Sequence, residues 1–103
     1  MLDFVFATPQ EICSELATRL KTARLTLGLQ QAEVAARAGV SRGTVIALEN
    51  TGHGTLQSLV RVALALGLAD QLEPLFQLNL HSIAQMEQAS TAPRQRVRKA
   101  AAP

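Results

Sequence analysis

With 103 residues, 48% of them hydrophobic but only 3% aromatic and no Trp or Tyr, the chain has material for one small domain whose core must come from Leu, Val, Ile and Ala, which points to helices. That size excludes most cofactor enzymes. The net charge of +2 names no partner by itself, and one Cys (Cys13) with two His (His53, His81) supplies neither an internal disulfide nor the four ligands of a structural zinc, so no metal and no cofactor is expected.

The predicted elements run as follows. Residues 2–6, with Phe4 and Phe6, are β-prone and read as a short strand or as an arm packed on the rest. Thr8-Pro9-Gln10-Glu11 opens a helix with a capping box and a proline at the first helical position. Ile12, Leu16, Leu20, Ala23 and Leu27 recur at helical steps and would form its inner face, and Gly28 ends it. A second helix is expected over residues 31–38 with Val34, Ala35 and Ala38 inward, closed by Gly39 in a left-handed conformation. Ser41 caps a third over residues 42–49 with Val45 and Leu48 inward. A loop follows, and Thr55 caps a fourth helix over residues 56–66. That helix is apolar nearly all round, with Arg61 its one charge, and so should be covered on more than one side. Residues 70–73 open a short fifth helix holding Leu72, Leu75 and Phe76, with Pro74 an awkward residue in its first turn. Ser82 can cap a further turn or two. From about residue 90 the composition shifts to Ser, Thr, Pro, Ala and Arg and reads as a disordered tail.

Charge is distributed unevenly along this plan. Residues 19–61 hold six basic groups against Glu33 and Glu49, and the last thirteen residues hold Arg94, Arg96, Arg98 and Lys99, while residues 1–18 and 62–90 are acidic. Basic groups gathered into a central block and a tail are the one-dimensional form of a polyanion-binding surface. The longest apolar run, residues 62–69, is far short of the roughly 20 residues that cross a bilayer, and the first basic residue is as late as Arg19. A soluble, cytoplasmic chain without a signal peptide or membrane partner is expected.

The unit that carries function is the pair of short helices joined by Gly39-Val40-Ser41. A tight turn of this kind exposes the start and outer face of the second helix, which fits a major groove about 12 Å wide. The run from Leu27-Gly28-Leu29 through Gln31, Ala35, Gly39 and Ser41 to Leu48-Glu49-Asn50 resembles the Cro and phage-repressor (XRE) helix-turn-helix family in register over residues 12–68.

The resemblance implies an all-α, five-helix domain that binds double-stranded DNA, is not an enzyme, and acts as a homodimer on a palindromic operator. Residue by residue it implies phosphate contact for Gln31, which also braces the recognition helix, and hydroxyl or backbone contact to phosphate for Ser41 and Thr44. Arg42, Gly43 and Ala47 fall at base-reading positions, and Arg24 and Glu49 match a partly buried ion pair. Gln30 stands where a capping Thr, Ser or Asn is usual. Gly43 and Ala47 carry no hydrogen-bonding group, which leaves Arg42 the one strong direct reader.

Plainer readings suit other residues. Gly52-His53-Gly54 follows no strand and reads as a turn rather than half a phosphate loop. Glu11 and Glu15 form a solvated face, Cys13 is a near-core residue, and His81 lies on the surface. The domain plan is an arm (1–7), a DNA-binding domain (8–80) and an extension (81–103). Leu64, Leu68, Leu72, Leu75 and Phe76 form the candidate dimer interface. Residues 72–99 also resemble, through composition and the basic run at Arg94, Arg96, Arg98 and Lys99, the C-terminal part of HipB-like antitoxins. That resemblance implies a second reading, in which the chain holds a HipA-type kinase and the tail contacts either the kinase or DNA.

Overall fold

The computed structural model describes residues 2–78 and divides the chain into two units, residues 1–73 and 74–103. Five helices and no strand occur among the described residues: α1 (Pro9–Thr26), α2 (Gln31–Ala38), α3 (Arg42–Thr51), α4 (Leu56–Ala65) and α5 (Ala69–Leu72). None of them is long and apolar enough to cross a membrane.

Local chemistry sets most of the boundaries. Thr8 accepts from the Glu11 N–H at 3.1 Å while the Glu11 carboxylate accepts from the Thr8 N–H at 2.9 Å, so Glu11 is occupied in starting α1. Glu15 accepts from Arg19 Nε at 3.0 Å, which accounts for the other acid on that face. Residues before Thr8 form turns rather than a strand, with the Asp3 carboxylate accepting from the Val5 N–H at 3.0 Å. The arm packs on α1 through the Phe4 ring, whose centroid lies 5.2 Å from the Arg19 guanidinium.

Three boundaries and three burial expectations are corrected. α3 runs past Glu49 to Thr51, because the left-handed cap comes at Gly52, whose N–H donates to the Leu48 carbonyl. α4 ends at Ala65, with Leu66 as its cap. α5 stops at Leu72: Pro74 has no N–H with which to continue the ladder, so Leu75 and Phe76 lie beyond the helix, Phe76 at φ 62°. The buried face of α1 is Ala17, Leu20 and Arg24, whereas Leu16 and Leu27 are exposed, because the helix is rotated to bring Arg24 inward. Cys13, expected near the core, is exposed.

The core joins Leu20 of α1, Val34, Ala35 and Ala38 of α2, Val45 and Leu48 of α3, and Val62 of α4 with Leu66 after it. Val34, Val45 and Val62 are fully buried, so each helix from α2 to α4 contributes a β-branched residue to the centre. α4, expected to be covered on more than one side, is covered on one side among the described residues: Val62 and Ala63 are buried while Leu56 and Leu64 are exposed. The tail residues Arg94, Arg96, Arg98 and Lys99, with Ser82 and His81, lie outside the described residues.

Candidate nucleic-acid interface

The turn between α2 and α3 is built by three residues with separate jobs. Gly39 takes φ 71° and ψ 33° and its N–H donates to the Ala35 carbonyl. The Val40 N–H donates to the same carbonyl at 3.1 Å. Ser41 returns to extended backbone, and its Oγ accepts from the Thr44 N–H at 3.0 Å, starting α3 after one intervening residue. Ser41 Oγ and Thr44 Oγ1 lie 2.9 Å apart and share a hydroxyl hydrogen bond, so the two hydroxyls form one unit at the head of the helix.

The start of α2 is held differently. Gln30 makes no side-chain cap; instead the Glu33 carboxylate accepts from the Gln30 N–H at 2.8 Å, which supplies the reciprocal half of a capping box.

Behind the turn, a buried polar cluster fixes α3 against α1. Arg24 donates from Nε to Glu49 Oε2 at 2.7 Å, from Nη2 to Oε1 at 3.0 Å, and from Nη1 to the Leu29 carbonyl at 2.9 Å. Gln31 Nε2 donates to Glu49 Oε1 at 3.2 Å. The Glu49 side chain has no exposed surface and accepts three hydrogen bonds. A charge this deep is tolerable only because it is paired and bonded on both oxygens. The pair ties the last turn of α3 to α1, the Leu29 carbonyl and the first residue of α2, so the angle at which α3 leaves the body is fixed from behind. No buried polar side chain lacks a partner among the described residues.

Among the described residues nothing covers the outer side of α3. Val45, Leu48 and Glu49 face inward, Arg42, Gly43 and Asn50 are exposed, and Thr44, Ile46 and Ala47 are half-buried. Beside its N-terminus an open cleft of about 410 Å³ is lined by Lys21, Arg24, Gln30, Gln31, Ala32 and Arg42. The exposed Lys21 and Arg42 thus flank the start of α2, where backbone N–H groups and the helix dipole already favour an anion.

A helix-turn-helix family model matches residues 20–70. Residues 20–70 are a helix-turn-helix domain of the Cro/C1-type XRE family. The matched stretch runs from Leu20 in α1 to Asp70 in α5 and contains the whole α2–turn–α3 unit. No curated protein matches the chain. The helix-turn-helix domain implies DNA binding, its family is typically non-enzymatic, and no group of three or more metal-ligating side chains occurs among the described residues.

Within this helix-turn-helix domain the structure brings Gln31, Arg42 and Arg24 around one cleft, with Glu49 buried behind it on Arg24 and Gln31, and with Ser41, Gly43, Thr44 and Ala47 along the head and flank of α3. Two residues carried no role in the sequence reading. Lys21 joins the cleft, and its spacing of three from Arg24 was the available signal. Arg61 of α4 donates from Nη1 to the Ala38 carbonyl at 3.4 Å, placing a cation on the C-terminal end of α2 just behind the turn. Nothing local in the sequence marks that contact. Most of the stretch resembling HipB-like antitoxins, residues 72–99, lies both outside the matched segment and outside the described residues.

Proposed function

We propose that the chain is a sequence-specific transcriptional repressor that binds a palindromic operator as a homodimer in the cytoplasm. The observation that carries this reading is the exposed start of α3 at Arg42 and Gly43, held at a fixed angle by the buried Arg24–Glu49 pair and bordered by Lys21 and Gln31.

In this reading α3 enters the major groove with Arg42 at its leading end, where a guanidinium can donate to two acceptors of one guanine. Gln31, with the backbone at the start of α2, and the Ser41 and Thr44 hydroxyls bond phosphates on either side and set the register. One domain reads too few base pairs to be specific alone, so two copies place their recognition helices about 34 Å apart. Leu64, Leu68 and Leu72 supply the apolar contact between copies, Leu64 being more than half exposed in the single chain. Leu75 and Phe76, both exposed, are further candidates for contact between copies.

Selection of bound duplexes from a random library by the full chain tests the reading. It should return an inverted repeat with half-site centres one helical turn, or a multiple of it, apart. Recovery of no enriched sequence, with binding set by salt alone, would refute it.

A further inference from the structure

The glycines of this chain separate into those the fold needs and one it does not. Gly28, Gly39, Gly52 and Gly67 take φ between 70° and 77°, and a Cβ on Gly54 would fall 2.7 Å from Leu48 Cδ2. Gly43 has neither reason. It is the second residue of α3, its φ is not in the left-handed region, and a Cβ built on it would meet only Ser41 Oγ, at an ordinary 3.8 Å. Glycine within a helix is less stable than alanine, because more backbone freedom is lost and nothing is gained. The folded chain accepts this loss at an exposed position where alanine would fit.

Among the described residues nothing but Ser41 Oγ comes within 4 Å of that added Cβ. Gly43 lies on the outer side of α3 between Arg42 and Ala47, four residues before Ala47 and so on the same helix face. Neither residue has a hydrogen-bonding side chain. A base edge set against them is distinguishable only by its shape and its apolar surface, and in the major groove the one apolar base substituent is the C5 methyl of thymine.

We propose that Gly43 is the point at which the α3 backbone touches the DNA, and that Gly43 and Ala47 together read a thymine methyl next to the base pair engaged by Arg42. The proposal rests on the DNA-binding reading above and adds to it a specific substrate preference.

The test uses the full chain and a duplex it has selected from a random library. Gly43→Ala should raise the melting temperature by a few degrees, about 2 to 5 °C, so that any loss of binding does not come from unfolding. The same variant should bind the selected duplex about five- to hundredfold more weakly, since the added methyl overpacks the contact. Replacing one particular thymine of each half-site by deoxyuridine, which removes only the methyl, should weaken the wild-type chain about fourfold per half-site. Gly43→Ala binding as tightly as wild type, or no thymine sensitive to loss of its methyl, overturns the proposal while leaving the DNA-binding reading intact. A wild-type chain that selects no duplex refutes both.

Discussion

Arg24 and Glu49 meet through two parallel hydrogen bonds, 2.7 and 3.0 Å long, between a guanidinium on the last turn of α1 and a carboxylate in the last turn of α3. An acid so close to a helix C-terminus is opposed by the macrodipole, so the cation answers both the carboxylate and the helix end. Removing one partner strands the other in the core. Glu49→Ala should lower unfolding free energy by about 3 to 5 kcal/mol, and Arg24→Met with Glu49→Leu should recover most of that loss. Urea denaturation measures both, and a single variant within about 1 kcal/mol of wild type would show that the pair is not desolvated as described.

The two ends of the glycine series should behave differently. Gly28 and Gly52 share a left-handed backbone, but a Cβ at Gly28 meets nothing within 4 Å, while one at Gly52 would lie 2.6 Å from the Cys13 carbonyl oxygen. Gly28→Ala should therefore cost only the conformational strain, about 1 to 2 kcal/mol. Gly52→Ala should cost about 1 to 3 kcal/mol more, because α1 and the end of α3 must separate. Equal losses in thermal denaturation would mean that the two segments do not approach so closely.

Arg42→Ala should weaken operator binding by about 1 to 3 kcal/mol and relax preference at one base pair per half-site. Gln31→Ala should weaken binding to all sequences alike, since a phosphate contact carries no base information. Binding profiles measured on a library of single-base variants separate the two effects. An Arg42→Ala profile identical to wild type would remove Arg42 from the groove.

A homodimer buries Leu64, so Leu64→Asp should shift the sedimentation coefficient to that of an 11.0 kDa monomer at tens of micromolar and leave the helical content unchanged. Sedimentation of the wild-type chain as a monomer under the same conditions would end the dimer proposal.

Removal of residues 91–103 takes away Arg94, Arg96, Arg98 and Lys99. If these charges lie on phosphate, the log-log dependence of affinity on salt should flatten by up to about 0.9 for each one lost. An unaltered slope in a salt titration would leave them without a DNA contact.

How much of this was legible in the sequence depends on how far apart the interacting residues are. Thr8 with Glu11, Ser41 with Thr44, and Gly39 with the carbonyl of Ala35 are contacts within one helical turn, so residue type and spacing alone determined the starts of α1 and α3 and the end of α2, and with them the helix-turn-helix. The Arg24–Glu49 pair, 25 residues apart, was visible only through the family resemblance. Arg61 on the Ala38 carbonyl, 23 residues away, was not visible at all, and neither was the exposure of Cys13 over a backbone pressed against Gly52. Those contacts depend on the rotation and axial position of each helix, which are set when Leu20, Val34, Val45, Leu48 and Val62 pack at the density of a solid core. Periodicity gives a helix its apolar side; only the packed neighbours decide which polar groups at its margins end up face to face.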